Sequence, residues 1–461
     1  MRIKNAESLL SHGNVNGRMM VLDILEAGLE AADPYNNTMK LIRLEGEKLI
    51  FDGKKLDPSR YDTLAYDLPS YRHIYVIGSG KAAQRMAKAV EDILGHRITE
   101  GHINAKKGEG KYLRRIEVTE AGHPMPDEDS VEGAKRICEI SRKAGENDLV
   151  INCTSGGMTA LMAYPPPGVT LDELNRVTQM LYFECGAPIW EVARVRDVLS
   201  SIKAGRLEKM LEHADVVTIS TSENWPKGRM ERLLTDFSYE DATNVLKERK
   251  LWDRVPASVK NYLEKADPAY GPLSRREWKK IESKWHSFSV ASGDVMLRRA
   301  KAKAEEMGVN AAILTHTLSA EAREVSIVMT SIASEVEDCS RPFKPPCALL
   351  SGGELVVTVG DATGLGGRNQ EFALASAPYI EGNKRVVVAS VDSDGTDGPT
   401  EMAGGIVDGE TMVRAREVGI DVALELRNHN SNYALQKLGD AVYTGIQGTN
   451  VQDLRVVYIS G

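Results

Sequence analysis

The sequence predicts an α/β fold in which a mainly parallel sheet is covered by helices on both faces. Short apolar segments typical of strands lie at residues 73–77, 148–153 and 215–220, and segments with helical periodicity separate them. Strands that alternate with helices form βαβ units, which place parallel strands side by side in one sheet. Helices then cover both faces of such a sheet, so the pattern predicts this fold class.

The composition is that of an ordinary globular protein. The chain has 461 residues, of which 42% are hydrophobic and 27% are charged, and this length predicts two or three domains. The net charge of -8, with both signs interspersed, argues against nucleic acid as a partner. Five scattered cysteines without a CxxC pair predict buried free thiols. Neither an export signal nor a membrane-spanning run is recognisable, so we expect a cytoplasmic protein.

The first half of the chain contains several predicted helices and one predicted hairpin. Residues 5–32 have apolar residues at helical spacing before a stop at Pro34, and residues 40–62 alternate as expected for a hairpin around Gly53. The other helices predicted in this half are a helix that follows Gly80, a helix capped by Ser130, a helix capped by Thr170 and a basic helix over residues 197–210.

The second half begins with a change of character. Residues 223–288 are charged, helical and interrupted by loops, and they provide the one plausible domain boundary. We therefore predict one domain over residues 1–285 and a second over residues 286–461. The alternation of strands and helices returns in the second domain, which closes on a strand.

A candidate anion site lies in residues 349–375. An apolar run breaks at Ser351–Gly353, the alternating segment 355–359 predicts a half-buried strand, and a glycine-rich turn at 364–367 leads into a helix that starts at Arg368. Glycines let the backbone approach a ligand, the first amides of a helix attract anions, and a guanidinium suits phosphate or carboxylate. The structural alternative is a turn that only connects two elements.

A second candidate loop is Gly78–Lys81, which follows a predicted strand and precedes a helix. It lacks a Walker A loop, because Tyr75 and Ala82 stand where that motif needs a glycine and a hydroxyl. The spacing allows a dinucleotide fingerprint ending at Ala83, although Glu100 is a poor candidate for its acidic residue. A lysine here suggests a charge held against phosphate oxygens. Alternatively, Lys81 is a solvated residue of the first helical turn.

Four predicted strands end in candidate ligand loops, namely Gly78–Lys81, Ser155–Gly157, Ser351–Gly353 and Asp392–Asp397. Ligands of open α/β sheets bind beyond the carboxyl ends of the strands. The fold rule therefore predicts that these loops could converge on one cleft.

The loop at Asp392–Asp397 could bind Mg²⁺. Asp392, Asp394 and Asp397 lie within six positions, and Mg²⁺ near phosphates usually takes one or two protein carboxylates. The loop is not an EF-hand, because Ala403 occupies the position of the closing glutamate. Ordinary turn chemistry is the alternative.

His123 stands between Gly122 and Pro124 and could act as a general base. A structural hydrogen-bonding role is the interpretation we favour from the sequence. A nucleophilic serine in a Gly-x-Ser-x-Gly turn does not occur at a strand–helix junction.

With these residues in view, the chain resembles the type II glycerate kinase family, the glycerate 2-kinases whose C-terminal part is a MOFRL domain. Similar stretches occur in order along nearly the whole chain: VIGSGKAAQRMA, EAGHPMPDEDS, VRDVLSSIKAGRL, LSAEAREV, LLSGGELVVTV, GLGGRNQEFALA, DSDGTDGPTEMAGGIVD and GTNVQDLRVVYI.

The resemblance implies a Rossmann-like, mainly parallel N-terminal domain, a smaller α/β C-terminal domain of MOFRL type and a cleft between them. It implies ATP-dependent phosphorylation of D-glycerate on its 2-hydroxyl, with Mg²⁺, to give 2-phospho-D-glycerate. The expected partners are small molecules, without nucleic acid or membrane, and a homodimer is left open. Phosphoryl transfer needs positioning and positive charge rather than a covalent nucleophile, which suits these loops.

The resemblance and the loop patterns together assign candidate roles. The catalytic residues are Lys81 and Arg368, the substrate-binding residues are Arg196 and Lys203, the metal ligands are Asp392 and Asp397, and the ATP- or phosphate-binding residues are Gly78, Ser79, Gly80, Ser155, Gly156, Gly157, Ser351, Gly352, Gly353, Gly366 and Gly367.

The chain departs from the family pattern at several positions. Met158 interrupts the glycine triplet, Ala193 and Val198 replace a polar asparagine and histidine, and Ala204 replaces a glycine. The family signatures after the strand DVVTIS are also missing, since this chain reads TSENWPKGR there.

These departures leave three further hypotheses open. The protein could be a kinase for another small 2-hydroxy acid, a nicotinamide-dependent hydroxypyruvate reductase favoured only by residues 78–83, or a binding protein that has lost the chemistry. Retention of Lys81, Arg368 and the acidic loop weighs against the last.

Overall fold

The computed structural model describes residues 1–185, 187, 189–222 and 237–461. Strands and helices alternate through most of this range, which confirms the predicted α/β class. In chain order the strands are β1 (Ile42–Glu45), β2 (Lys48–Asp52), β3 (Thr63–Asp67), β4 (His73–Ser79), β5 (Glu100–Lys106), β6 (Glu117–Ala121), β7 (Asp148–Thr154), β8 (Asp215–Ser222), β9 (Trp285–Ser292), β10 (Asn310–Thr315), β11 (Cys347–Ser351), β12 (Val386–Asp392), β13 (Gly404–Asp408), β14 (Ala441–Val442) and β15 (Asp453–Ile459).

The α-helices of the described residues pack against the two larger of the three sheets. In chain order they are α1 (Ala6–Leu9), α2 (Val15–Ala31), α3 (Pro34–Leu41), α4 (Ala83–Leu94), α5 (Glu128–Lys143), α6 (Met158–Leu161), α7 (Leu171–Gln179), α8 (Ile189–Val198), α9 (Arg206–Met210), α10 (Tyr239–Glu248), α11 (Ala257–Lys265), α12 (Arg275–Ile281), α13 (Gly293–Glu306), α14 (Ala322–Cys339), α15 (Arg368–Ser376), α16 (Thr411–Glu417), α17 (Val422–Arg427) and α18 (Ser431–Leu438).

The chain divides into two compact units. We call the first the central unit; it comprises Pro34–Thr221 and the described residues from 237 to Val290. We call the second the terminal unit; it combines Met1–Asp33 with Ala291–Gly461. The first 33 residues therefore differ from the sequence prediction, which placed them in one domain with residues 34–285.

The central unit is built on a six-stranded sheet with the order β6-β5-β4-β7-β8-β9. The pairs β4–β5, β5–β6, β4–β7 and β7–β8 are all parallel, as predicted. Alternate residues of β4 enter two different apolar clusters: Ile74 and Val76 pack with α4, whereas Tyr75 and Ile77 pack with α5. The sheet is therefore buried on both faces, and its carboxyl edge is left for the loops.

The terminal unit contains a mixed sheet with the order β10-β11-β15-β12-β13-β14. Only the first pair, β10–β11, is parallel among these strands, and the other neighbours are antiparallel. Both faces are again covered, because Val387 and Ala389 pack in a cluster with α2 and α13, whereas Val386 and Val388 pack in a cluster with α14 and α15.

A buried ion-pair network explains why residues 1–33 belong to the terminal unit. Arg18 is fully buried and pairs with Asp408 at 2.5 Å and with Asp440 at 2.8 Å. Val21 and Leu25 of the same helix lie in one apolar cluster with strand residues of the terminal sheet. The helical period of α2 predicts an apolar face, but periodicity alone cannot tell which sheet that face covers.

Four smaller features of the structure refine the elements predicted from the sequence. The predicted connection at Gly53 does join two antiparallel strands, β2 and β3, and a second, tighter turn at Gly46, with a φ of 60°, joins β1 to β2. Asp127 caps α5, and Ser130 is its capping-box partner. The predicted basic helix is broken between Val198 and Arg206. Residues 355–359 form no strand and contribute only an isolated bridge at Val356.

The cysteines and the helices bear on two further expectations. All five cysteines are free, but Cys339 is exposed and Cys185 is half-buried, so the prediction of buried thiols holds only for Cys138, Cys153 and Cys347. None of the helices in the described part of the chain has the length and apolar character needed to cross a membrane.

Candidate active site

Two of the predicted ligand loops lie side by side at the carboxyl edge of the central sheet. Strands β4 and β7 pair in parallel up to Ser79 and Thr154, so the loops that follow them start at the same level. The backbone amide of Ser155 donates to the carbonyl of Ser79 over 3.2 Å. The amide of Ala82, at the start of α4, donates to the hydroxyl of Ser155 over 2.8 Å. Ser155 thus joins the two loops.

The glycines of the first loop allow this close packing. A Cβ atom at Gly78 would lie 2.0 Å from the carbonyl oxygen of Cys153, and one at Gly80 would lie 2.2 Å from the hydroxyl of Ser155. Gly80 also has a φ of 131°, which few other residues adopt. The sequence interpreted these glycines as a close approach of the backbone to a ligand. The structure shows a close approach of one loop to the other.

Gly157 brings a lysine and a histidine together. Its Cβ position lies 3.3 Å from Cγ of Lys81 and 3.2 Å from Nε2 of His123, and its φ of 87° is left-handed. The amide of Lys81 donates to the carbonyl of Gly156 over 3.1 Å. His123 follows the edge strand β6 yet reaches the loop after β7, so the segment that contains it extends across the sheet edge. The lysine and the histidine are both half-buried.

Thr159 is the meeting point of the two predicted substrate-binding residues. Lys203 donates from Nζ to the hydroxyl of Thr159 over 2.5 Å, and Arg196 donates from Nη2 to the carbonyl of Thr159 over 3.4 Å. Lys203 also pairs with Asp197 at 3.3 Å. The segment Ser155–Thr159 therefore contacts all three predicted cations of the central unit.

Arg196 has the properties of an anion-binding group. Only 9% of the residue is exposed, and its Nε is buried with no hydrogen-bond partner among the described residues. Burial lowers the pKa of the Arg196 guanidinium, while Tyr182 and Asp197 act in the opposite direction. A buried charge without full pairing is costly, and a bound anion would offset that cost.

Lys203 lies in the break between α8 and α9, where it contacts Thr159. Arg206 donates from Nη1 to the carbonyl of Asp197 and from Nη2 to the carbonyl of Val198, which are the last carbonyls of α8. Ala204 adopts a φ of 56°, the left-handed region that favours glycine, at a position where the family pattern has glycine. Arg206 therefore has a structural role at the end of α8, whereas Arg196 and Lys203 are the basic residues that contact Thr159.

Arg368, in the terminal unit, is surrounded by carboxylates. Its Nε lies 2.9 Å from Oδ2 of Asp453, its Nη2 lies 2.7 Å from Asp392, and its Nη1 lies 3.2 Å from Glu354. Burial acts to lower the pKa of Arg368, but these three carboxylates raise it well above its ordinary value. The guanidinium is thus permanently charged and strongly held.

The carboxylate of Asp397 lies at the N-terminus of α15, where the sequence predicted a bound anion such as phosphate. Its carboxylate accepts hydrogen bonds from the backbone amides and side-chain amides of Asn369 and Gln370, in the first turn of α15. The residue is fully buried. Burial raises the pKa of the Asp397 carboxyl, against the opposing effect of Arg368 and the Gln370 amide. The N-terminus of α15 is therefore capped by the protein itself.

The glycines near Arg368 are needed for packing. A Cβ atom at Gly367 would lie 2.2 Å from Cγ of Asp397, and one at Gly366 would lie 2.3 Å from the hydroxyl of Ser431. A Cβ atom at Gly353, whose φ is 96°, would lie 2.3 Å from the amide of Leu318. Gly352 is crowded in the same way, with Leu297 at 2.8 Å. These distances favour the structural alternative for this glycine-rich turn.

The two predicted metal ligands both accept hydrogen bonds from protein groups. Asp392 accepts from the amide of Asp394 and from Arg368, and Asp397 is occupied by four donors. Within the described ranges, no group of three or more histidine, cysteine or acidic side chains could hold a metal ion. Asp397 in particular does not fit Mg²⁺, which needs accessible oxygen atoms.

Glu100 does not lie where a dinucleotide fingerprint needs its acidic residue. Glu100 opens β5 at the amino edge of the sheet, where it pairs with Arg136 and Lys143. The carboxyl end of β5, where the fingerprint needs an acid, carries Lys106 instead.

The structure describes most of the remaining positions at which the chain departs from the family pattern. Val198 is fully buried in an apolar cluster and Ala193 is half-buried on α8, while Met158 begins α6. Of the divergent loop TSENWPKGR, residues 223–229 lie outside the described residues. Thr159 and Asp453 are site residues that the sequence did not single out; the position of Thr159 directly after the Ser-Gly-Gly turn was the available signal.

The fold and this arrangement define an α/β protein with cationic side chains gathered at the carboxyl edge of a parallel sheet. Two known families match the chain. Residues 20–264 match a family described as "Domain of unknown function (DUF4147)", and residues 347–453 match the MOFRL family.

Similar proteins extend the match to nearly the whole chain. A glycerate 2-kinase from Pyrococcus horikoshii is 37% identical and covers 96% of this chain and 99% of its own. A D-glycerate 2-kinase from Thermotoga maritima is 36% identical over 83% of this chain and 89% of its own. The crystal structure of a glycerate kinase from Thermotoga maritima aligns with a TM-score of 0.78 at 33% identity, over 96% of this chain and 99% of that one. The chain belongs to the type II glycerate kinase family.

Proposed function

We propose that the protein is an ATP-dependent kinase that phosphorylates D-glycerate on its 2-hydroxyl and releases 2-phospho-D-glycerate. Family membership supports kinase chemistry, and the relatives named above carry this activity in their names. In the reaction, the hydroxyl oxygen bonds to the γ-phosphorus, the bond from that phosphorus to ADP breaks, and the hydroxyl proton leaves to solvent or a base.

One observation carries the proposal, namely that the segment Ser155–Thr159 contacts Lys81, Arg196 and Lys203. Of these cations, Lys203 forms an ion pair with the carboxylate of Asp197 at 3.3 Å. A site with an excess of positive charge suits a substrate carboxylate and transferring phosphate oxygens, which is what this reaction brings together.

The cations divide into two roles by their surroundings. Arg196 is nearly buried and has a planar fork suited to a carboxylate, so we assign it and Lys203 to the carboxylate of glycerate. Lys81 is half-buried beside the first turn of α4, so we assign it to the phosphoryl oxygens. Arg368 keeps its proposed role as a second catalytic cation, held in place by Asp453.

Mg²⁺ enters this proposal with the nucleotide. The ion usually binds the phosphates of its substrate and keeps several waters, so a dedicated cage of carboxylates is not required. Asp392 is the candidate ligand that remains, since Asp397 is consumed by the cap of α15. We also propose a cytoplasmic location, which the five free cysteines support.

The second candidate is a nicotinamide-dependent hydroxypyruvate reductase. The position of Glu100 at the amino edge of the sheet counts against it, because β5 ends in Lys106 rather than in the acidic residue that the fingerprint uses to bind a ribose.

The test is a pair of steady-state assays on the same preparation. We expect ADP to form with D-glycerate, and more slowly with lactate or glycolate, while hydroxypyruvate with NADH or NADPH gives no oxidation. Oxidation of the nicotinamide without ADP formation would contradict the proposal. Faster ADP formation with another 2-hydroxy acid would move the substrate assignment to that acid.

A further inference from the structure

We infer that Thr159 is a specificity-determining residue of the anion site, acting as a positioning residue for Lys203 and Arg196 and as a hydrogen-bond donor to the substrate carboxylate. The inference rests on the proposed function, because it assigns the anion to the glycerate carboxylate. It adds a residue to which the sequence analysis assigned no role.

The first step is the convergence of two cations on one residue. The hydroxyl of Thr159 accepts a hydrogen bond from the ammonium of Lys203 over 2.5 Å, and its backbone carbonyl accepts one from the guanidinium of Arg196 over 3.4 Å. Both cations come from a region after residue 190, whereas Thr159 lies in the short helix that follows Gly157. Thr159 therefore fixes the separation of the two charges.

The second step concerns the hydroxyl hydrogen of Thr159. A threonine hydroxyl has one donor and two acceptor positions, and the ammonium of Lys203 occupies an acceptor position. Within the part of the chain that the structure describes, the hydroxyl donates to no other group. Thr159 is half-buried, so its hydroxyl hydrogen remains available to a ligand.

The third step is the unpaired nitrogen beside it. Nε of Arg196 is buried and has no hydrogen-bond partner among the described residues, and only 9% of Arg196 is exposed. A hydroxyl donor, an ammonium and an incompletely paired guanidinium that meet at Thr159 suit a small carboxylate. Asp197 also pairs with the ammonium of Lys203, at 3.3 Å.

The experiment compares Thr159→Val, Thr159→Ser and wild type. Valine keeps the shape of threonine without its hydroxyl, so we expect the KM for D-glycerate to rise about tenfold, equivalent to about 1.4 kcal/mol, with kcat within about threefold of wild type. Serine restores the hydroxyl, so we expect its KM to return to within about threefold of the wild-type value. The KM for ATP should change little in either variant.

Thr178→Val is the matched control. Thr178 is a buried threonine of the same unit whose hydroxyl donates to the carbonyl of Leu174 within its own helix. Its replacement tests the effect of losing a threonine hydroxyl on the fold, and we expect stability to change without any change in the KM for D-glycerate.

A second measurement distinguishes a failure of the inference about Thr159 from a failure of the proposed function. D-Glycerate alone should raise the Tm of wild type and raise it less for Thr159→Val at the same concentration, because a ligand stabilises the state that binds it. If wild type is active and Thr159→Val keeps its KM, or loses only kcat, or is not rescued by serine, the inference about Thr159 is wrong and the proposed function stands. If wild type neither turns over nor is stabilised by D-glycerate, the proposed function fails and the inference fails with it.

Discussion

Arg368 and Asp453 form a bidentate ion pair in the terminal unit, with Nε and Nη2 of the arginine donating to the carboxylate over 2.9 and 2.8 Å. The pair is part of a larger network, because Asp453 also accepts from the fully buried Arg455. The arginine that the family resemblance assigns to catalysis is thus also a member of a buried charge network. Its removal should affect stability as well as rate.

We expect Arg368→Ala to lower kcat by roughly two to four orders of magnitude. We also expect it to lower the free energy of unfolding by about 3–5 kcal/mol, because Asp453 and Asp392 would stay buried and each would lose an ion-pair partner. Denaturant unfolding and steady-state kinetics measure the two effects. The control is Arg298→Ala, which removes an exposed ion pair with Asp294 and should change neither quantity appreciably. A kcat close to wild type in folded Arg368→Ala would show that Arg368 is purely structural.

Lys81→Ala should separate rate from stability. Lys81 is half-buried at the site, so we expect kcat to fall by roughly two to four orders of magnitude while the free energy of unfolding changes by less than about 1 kcal/mol. Lys88→Ala, on the same helix, is the control, because Lys88 only pairs with Asp92. Normal kcat in Lys81→Ala would remove this residue from the mechanism.

Gly157→Ala and Gly168→Ala form a matched pair. Both glycines have a φ of 87°, but a Cβ atom at Gly157 meets His123 and Lys81, whereas one at Gly168 meets nothing within 4 Å. Each substitution should cost about 1–2 kcal/mol of stability through backbone strain. Only Gly157→Ala should also lower kcat, by about 10- to 100-fold, because it displaces the two side chains. Equal kcat values in the two variants would show that this contact has no role in the reaction.

Asp397→Asn tests the reassignment of the acidic loop from metal site to helix cap. The substitution weakens the cap of α15, so we expect a loss of about 1–2 kcal/mol of stability. The Mg²⁺ concentration that gives half-maximal rate should stay unchanged. Asp392→Asn, measured in parallel, should raise that concentration if Asp392 is a ligand. A clear rise in Asp397→Asn instead would restore the sequence prediction.

The stability contributed by Asp127 should depend on pH. Burial acts to raise the pKa of this carboxyl, but hydrogen bonds from Lys107 and from the amides of Gly122 and Ser130 lower it to about 2. The unfolded value is about 3.9, so the folded state binds fewer protons, and the contribution is present above about pH 4 and lost as the pH falls towards 2. Acid unfolding of wild type and Asp127→Asn should therefore converge in that window. Glu128→Gln, an exposed neighbour in the same turn, is the control; a constant difference between Asp127→Asn and wild type down to pH 2 would contradict this view.

Strands β4, β7 and β8 of the central sheet were predictable because they are short apolar segments, whereas the more polar β5 was not singled out. The same signal placed the loops after β4 and β7, and their contact follows from the pairing of Ser79 with Thr154. Sequence could not tell whether a glycine faces a ligand or another loop, since Gly80 and Gly367 look alike in sequence and each is crowded by protein atoms.

Longer-range charge pairing is where prediction from sequence failed. Asp397 and Arg368 lie 29 positions apart, and nothing local shows that Asp397 caps the helix that Arg368 begins. Similarly, Arg18 pairs with Asp408 and Asp440 near the other end of the chain, which decides the unit to which residues 1–33 belong. At the carboxyl edge of the central sheet, Lys81, Arg196 and Lys203 are residues that the sequence singled out, and their roles stay a prediction. Thr159 was missed, because hydroxyls of this kind have many structural uses.

The most direct test of the central claim is phosphorus NMR of the products formed from ATP, Mg²⁺ and D-glycerate. We predict the resonance of 2-phospho-D-glycerate, growing in step with ADP and absent without enzyme or without D-glycerate. Formation of 3-phosphoglycerate alone, or no phosphorylated product from a preparation that reduces hydroxypyruvate with NADH, would contradict it.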